Sequence, residues 1–319
     1  MNEGGNAGEF RGVFPYLVTP LEATGRVATG VVERLVHHLV DNGVHGLTPF
    51  GSTGEFAYVT REQRYAMIAA TVGAAGGRVP VVVGVGATST AEAVRQAEEA
   101  AHLGADGLLV ILPVYFPLTE TAALAYYRAV AAATPLPLVL YTNPRFSEFD
   151  LSPALVERLL ELPTVQYLKD ASTNTGRILT LMNRVGPRLK VFAASAHVPA
   201  LVMLLGGVGW MAGPACIVPR QSVALYAACA AGDWTTAMEI QRPLWEINVL
   251  FQKYSLAACI KAGLQLQGFE AGDPIPPQPP LEESGRREIA DALTRYRMSP
   301  SNRHQRSTAS SAPRSAGGT

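Results

Sequence analysis

The run Val165-Gln166-Tyr167-Leu168-Lys169 is apolar but for Gln166 until it ends on an amine, and Asp170 follows it. It reads as a strand, and lysine is rarely found fully buried. An amine kept dry at the end of a buried strand can condense with a ketone to give an imine. Taken alone, the commoner reading is a strand that runs out into solvent, so its neighbours must decide. Tyr141 ends a second apolar run and supplies a phenol. Imine formation moves protons to and from a carbinolamine, and a phenol can relay them; the plain alternative is a core tyrosine with a satisfied hydroxyl. Gly51-Ser52-Thr53-Gly54-Glu55 is a tight polar turn. Its glycines free backbone N–H groups to point inward beside two hydroxyls, a nest suited to a carboxylate. A Gly/Ser loop with a helix cap is the plain alternative there.

An exposed lysine has a pKa of about 10.4, so at neutral pH its free amine lies roughly 4–5 kcal/mol above the ammonium. A dry site reduces that gap. Asp170 would oppose the effect if it faced inward, so it is expected to point away, into a structural hydrogen bond.

The composition narrows the classes of chemistry. Lys+Arg and Asp+Glu both total 26 in 319 residues, so no basic surplus points to nucleic acid or an anionic membrane. Low net charge fits a chain that hides surface in an oligomer. No apolar run reaches the ~18 residues of a membrane span, and the Gly-rich start is not expected to be a signal peptide. Cys216, Cys229 and Cys259 match no zinc spacing and are odd in number, so reduced, buried thiols in a cytoplasmic protein are expected. The six histidines show no H-x-H or H-E-x-x-H pattern, so no metal site is expected.

Eight short apolar runs (13–18, 44–48, 80–84, 107–112, 136–141, 165–169, 190–193 and 208–211) alternate with helical patterns. They are nearly continuous in apolar character, as in a parallel sheet covered on both faces. Val31, Val32, Leu35, Val36, Leu39 and Val40 repeat at helical spacing before Gly43. Thr60 with Gln63 and Ser89 with Glu92 are capping-box patterns, and Ser152-Pro153 is an N-cap followed by proline. Gly104, Gly186 and Gly206 mark further helix ends. A (β/α)8 TIM barrel over 11–232 is the natural closure. An open doubly wound sheet would need a G-x-G-x-x-G turn after its first strand, and none is present. Three helices at 233–254, 256–267 and 281–297 form a C-terminal helical extension, 233–298, with a Pro-rich connector at 273–280. Residues 1–10 and 299–319 read as disordered; Arg297, Arg303, Arg306 and Arg314 could make the last a contact tail.

Barrel enzymes place chemistry at the C-terminal ends of the strands. That rim collects Gly51, Ser52 and Thr53, then Pro113-Val114-Tyr115, Tyr141, Lys169, Ser195, His197 and the pair Trp210-Met211. His197 there reads as a pocket wall rather than a ligand.

These residues resemble the dihydrodipicolinate synthase / N-acetylneuraminate lyase superfamily of class I aldolases. The resemblance rests on Gly12-Val13-Phe14-Pro15 with Val18-Thr19-Pro20, Gly51-Ser52-Thr53-Gly54-Glu55 and Val83-Gly84-Val85-Gly86-Ala87. It continues through Tyr141 with Asn143-Pro144, Leu168-Lys169-Asp170-Ala171-Ser172 and Gly206-Gly207, and spans about 11–297. It implies a Schiff base on Lys169 with pyruvate or another 2-oxo acid, and no cofactor beyond that covalent imine. Tyr141 would be the proton relay, Thr53 its partner, and Ser52 and Thr53 the holders of the carboxylate. Tyr115 resembles a tyrosine that reaches across a dimer interface, and a homotetramer built as a dimer of dimers is implied. The resemblance departs at Phe146, where synthases of lysine biosynthesis carry an arginine for the second carboxylate; the nearest arginine is Arg145. A buried carboxylate needs a partner, so an amino-aldehyde acid should bind poorly. The stretch 141–150 is closer to the aromatic hydratase-aldolase branch. Ala194 stands at a glycine position, and Phe146, Trp210 and Met211 favour a less polar second substrate.

Three readings follow: a Schiff-base aldolase or lyase acting on a 2-oxo acid and an aldehyde, with a dehydratase or hydratase-aldolase as its near variant; 4-hydroxy-tetrahydrodipicolinate synthase, with Arg145 replacing the missing arginine; and a barrel that binds a 2-oxo acid without turnover.

Overall fold

The computed structural model describes residues 9–172, 174–194 and 198–298, except the side chains of Arg145, Phe146, Arg297 and Met298. Seven parallel strands are present: β1 (Gly12–Pro15), β2 (Val82–Gly86), β3 (Gly107–Ile111), β4 (Leu138–Thr142), β5 (Val165–Asp170), β6 (Lys190–Ala193) and β7 (Gly209–Ala212). They pair in the order β1-β7-β6-β5-β4-β3-β2. The eighth place, between β1 and β2, belongs to segment 44–49. His45 and Thr48 donate their amides to Val13 and Pro15 on one side; Leu47 donates to Pro80 and accepts from Val82 on the other. The sheet therefore closes into a cylinder, as the (β/α)8 reading requires.

The strand expected over 44–48 is reduced to bridges at Leu47 and Thr48. The cause is local. The Val13 amide goes to the imidazole Nδ1 of His45, 3.2 Å away, and not to a backbone carbonyl. Pro49 and Pro80 have no amide to donate. Gly46 is pressed on the Phe14 ring, where a Cβ would lie 2.0 Å from a ring carbon.

Helices α1 (Thr29–Asp41), α2 (Arg61–Ala75), α3 (Thr90–His102), α4 (Glu120–Ala132), α5 (Pro144–Ser147), α6 (Pro153–Leu159), α7 (Thr175–Val185), α8 (Pro199–Leu204) and α9 (Pro219–Ala230) surround the strands. Thr60 and Gln63 form both halves of a capping box, and Ser152 accepts from the Leu155 amide. Ser89 accepts from the Glu92 amide, but the second half of its expected box is missing because the Glu92 carboxylate turns to Arg95 and Gln96. Successive strand side chains face opposite ways. One set, including Phe14, Tyr16, Leu109, Val139, Tyr141, Tyr167, Phe192 and Met211, fills the cylinder. The other, including Val13, Leu108, Leu140, Leu168, Val191 and Trp210, packs under the helices.

The expectation of a disordered 1–10 needs correction at its last residue. Phe10 is buried, stacks on Tyr167 with ring centroids 5.2 Å apart, and donates its amide to the Tyr167 hydroxyl at 3.0 Å. Its ring packs with those of Phe14 and Tyr167 inside the cylinder. Residues 1–8 and the expected tail 299–319 lie outside the described residues.

The extension is α10 (Trp234–Lys253), α11 (Leu256–Gln265) and α12 (Glu283–Met298). A buried ion pair fastens it to the barrel: Lys261 Nζ on α11 lies 2.7 Å from Glu55 Oε2, with side chains 1% and 0% exposed. Glu55 Oε1 accepts from the Ile275 amide (2.6 Å) and from Gln278 Nε2 (3.0 Å), and Lys261 also donates to the Asp273 carbonyl (2.8 Å). Burial pulls the Lys261 pKa below its ordinary value, against the opposing pull of Glu55. Removing one partner of such a pair strands the other charge, whereas removing both does not. Lys261→Met should therefore lower unfolding stability in urea by about 3–5 kcal/mol, and adding Glu55→Gln should restore most of the loss.

Candidate active site

Lys169 on β5 and Tyr141 on β4 are register partners, both on the inward parity of their strands. Lys169 is 3% exposed. Its Nζ lies 3.9 Å from the centroid of the Tyr141 ring and 4.2 Å from that of Tyr16. Among the described residues it has no carboxylate partner. The chain has four lysines; Lys190, Lys253 and Lys261 each pair with a carboxylate. Burial drives the Lys169 pKa well below the ordinary lysine value, against the opposing charge of Asp170. The two ring faces favour the ammonium, by about 0.5–2 kcal/mol for a cation–π contact, and so soften the penalty without cancelling it.

Asp170 points the other way, as expected from strand alternation. It is fully buried on the outer face, 3.0 Å from Arg177 Nε, and accepts the Ser172 amide at 2.7 Å. Arg177 is itself held by Asp150 and the Leu151 carbonyl.

The Tyr141 hydroxyl accepts from Asn143 Nδ2 at 2.8 Å and lies 3.2 Å from Ser52 Oγ. Burial raises its pKa, and the two hydrogen bonds pull against that rise; the phenol is held protonated and oriented. The resemblance had given Thr53 the contact that Ser52 makes. The Thr53 hydroxyl instead packs toward Gly213, where a Cβ would meet it at 2.8 Å.

The turn that presents Ser52 and Thr53 is bounded by two left-handed residues, Phe50 (φ 61°) and Glu55 (φ 58°). A bulky residue there is an outlier that only its surroundings can hold. Phe50 is gripped by the Arg64 guanidinium 4.6 Å above its ring, and Glu55 by the clamp to α11. Thr19 Oγ1 donates to the Gly54 carbonyl at 2.7 Å. The bonds that close the turn use the amides of Gly54 and Glu55, so those of Ser52 and Thr53 stand at its open start.

A cavity of about 620 Å³ opens above Lys169, within the size range of small-molecule sites. Tyr16, Ser52, Thr53, Tyr141, Asn143 and Lys169 line its inner end; Phe56, Tyr58 and Pro113 line its side. Asn248, Phe251, Gln252, Tyr254 and Ser255 of the extension supply the far wall. Among the described residues no cluster of His, Cys, Asp and Glu could hold a metal ion, and no helix is long and apolar enough to cross a membrane. All three cysteines are free and buried.

Of the expected site residues, Ser52, Thr53, Tyr141 and Lys169 meet at this cavity, with Gly51 beside them. Trp210 does not. It faces outward between β7 and the helices, because the inward parity of β7 falls on Met211. Met211 is fully buried in the cylinder and does not line the cavity. Tyr115 is 82% exposed, set edge-on against Phe116, and away from this chain's own cavity. Ser195, His197 and the Phe146 side chain lie outside the described residues. Sequence reading missed Tyr16 and Asn143. Both follow from alternation: Tyr16 is two residues beyond inward Phe14, and Asn143 two beyond Tyr141. The far wall had no local signal.

The Dihydrodipicolinate synthetase family model matches residues 9–296. The chain belongs to that family. It is 34% identical over 285 residues to a 4-hydroxy-tetrahydrodipicolinate synthase of Acidiphilium cryptum, covering 89% of this chain and 98% of the relative. A DapA-like lyase of Halobacterium salinarum is 35% identical over 275 residues, covering 86% and 90%. Among solved structures, a prophage protein of the dihydrodipicolinic acid synthase family from E. coli K12, in complex with pyruvate, superposes with a TM-score of 0.86 at 29% identity, covering 90% of this chain and 99% of that one. As a dihydrodipicolinate synthetase family member, the protein is a lyase with the family's TIM-barrel fold.

The depressed Lys169 pKa has a consequence for stability. The unfolded chain binds a proton that the folded chain does not, between the folded pKa and about 10.5, so this site's contribution to stability rises with pH across that window. Lys169→Met should be more stable than the wild type at neutral pH, and thermal melts should show the difference shrinking as pH approaches about 10.5. A constant difference would mean that Lys169 is not desolvated.

Proposed function

We propose that this lyase joins Lys169 to C2 of pyruvate or another 2-oxo acid and makes or breaks a carbon–carbon bond at C3 through the resulting enamine. The observation that carries this reading is the buried Lys169 amine, without a carboxylate partner among the described residues, between two aromatic rings at the inner end of a cavity. Neutral Nζ adds to C2 and loses one of its protons while the keto oxygen gains one, giving a neutral carbinolamine. A second proton converts that oxygen to water, which leaves, and an iminium remains. The iminium is the electron sink, so no cofactor is needed: loss of a C3 proton or cleavage of the C3–C4 bond leaves the enamine. Tyr141, fixed by Ser52 and Asn143, is placed to relay the protons. The turn at Ser52-Thr53 is suited to the carboxylate.

The aldehyde partner would occupy the outer cavity. Phe56, Phe251 and Tyr254 there support a less polar partner, the role the sequence reading had given to Trp210 and Met211. A second reading, 4-hydroxy-tetrahydrodipicolinate synthase, is supported by the name of a relative 34% identical. Phe146, where resembling synthases carry arginine, speaks against it. Tyr115 of a second copy would complete the relay in a tetramer; its exposure on this chain is consistent with that.

Borohydride added with pyruvate should fix one pyruvate adduct on Lys169, located by peptide mass, and none on Lys169→Ala. Tyr141→Phe should slow the trapping roughly 100-fold or more. Turnover should appear with apolar aldehydes; comparable turnover with aspartate semialdehyde would favour the synthase reading. Trapping without turnover on any aldehyde would leave a binding barrel.

A further inference from the structure

Tyr16 is the second ring against the Lys169 amine, and the steps above give it no part. It follows β1 directly, on the inward parity of Phe14, and it lines the inner end of the cavity. Its side chain is 2% exposed, yet among the described residues its hydroxyl has no hydrogen-bond partner. The other phenol at the amine has both Asn143 and Ser52. A buried hydroxyl left unsatisfied is destabilising, and native structures keep few of them without a functional reason.

Its position says what it would meet. The ring lies flat against Gly51, the first residue of the Ser52-Thr53 turn: a Cβ on Gly51 would sit 2.3 Å from Cδ2 and Cε2 and 2.8 Å from Cζ, the carbon that bears the hydroxyl. The Tyr16 ring thus sits beside the carboxylate turn, through Gly51, and beside the reactive amine, which lies 4.2 Å from its centroid. Burial, with Tyr141 nearby, keeps the phenol well above its ordinary pKa, so it stays a donor.

We infer that the Tyr16 hydroxyl is a substrate-positioning donor, giving its proton in a hydrogen bond to the carboxylate of the 2-oxo acid held at Lys169. This rests on the Lys169 reading and deepens it: the carboxylate takes a side-chain phenol in addition to the turn's own groups. Because the carboxylate is present before and during the reaction, the bond serves binding more than the chemical step.

The test is Tyr16→Phe in the full chain, which keeps the ring against Gly51 and Lys169. With pyruvate and borohydride, the concentration giving half-maximal trapping should rise roughly 10- to 100-fold, the range for a lost hydrogen bond to a charged group, while the trapping rate at saturation changes less than about threefold. The melting temperature without pyruvate should not fall, since the hydroxyl has no partner to lose among the described residues; a purely structural tyrosine would lower it and leave the pyruvate dependence alone. Equal pyruvate dependence in variant and wild type overturns the inference and leaves the Lys169 reading intact. No trapping on the wild type overturns both.

Discussion

The site depends on the desolvation of one amine. In water the free amine of lysine is a rare species at neutral pH, and nothing in the residue itself changes that. What changes it is a cylinder packed by aromatic rings, Phe10 among them, and roofed by helices that follow the barrel in sequence. Among the described residues no carboxylate pairs with Lys169; Glu55, which also lines the cavity, is taken up by Lys261. The nearest in sequence, Asp170, is held on the far face of the same strand by Arg177. A shift of one residue in register would reverse that arrangement and place a carboxylate where the amine now sits.

The same economy governs the surrounding groups. Strand alternation puts Tyr16, Tyr141 and Lys169 inward together. Glycine at 51 lets a phenol ring lie against the turn beside it. The Glu55–Lys261 pair ties that turn to the extension, so the far wall of the cavity and the turn that carries Ser52 and Thr53 are joined through a buried contact. The extension is therefore part of the site: Phe251 and Tyr254 bound the space where a second substrate would lie.

Much of this was legible in the sequence. The apolar runs gave the parallel barrel, the caps gave the helix starts, and the rim rule gathered Ser52, Thr53, Tyr141 and Lys169. The failures have physical causes. Trp210 was assigned to the pocket by its strand, but one residue decides the face of a strand, and Met211 holds the inward place. The strand over 44–48 is too interrupted by His45, Gly46 and Pro49 to form a ladder, although its apolar character is intact. Phe10 sits in a polar, Gly-rich stretch that resembles a free terminus until its ring packs inside the cylinder. The wall from α10 and α11 comes from residues about a hundred positions away from Tyr141 and Lys169, a proximity only the closed fold creates.

The most direct test of the account is to titrate the four lysines individually by NMR, following the Cε resonances of 13C-labelled lysine and assigning Lys169 by its loss in Lys169→Met. The account predicts one resonance that is already neutral well below pH 10.5 and is missing from the variant. A Lys169 resonance that titrates near the ordinary lysine value of about 10.4 would contradict it.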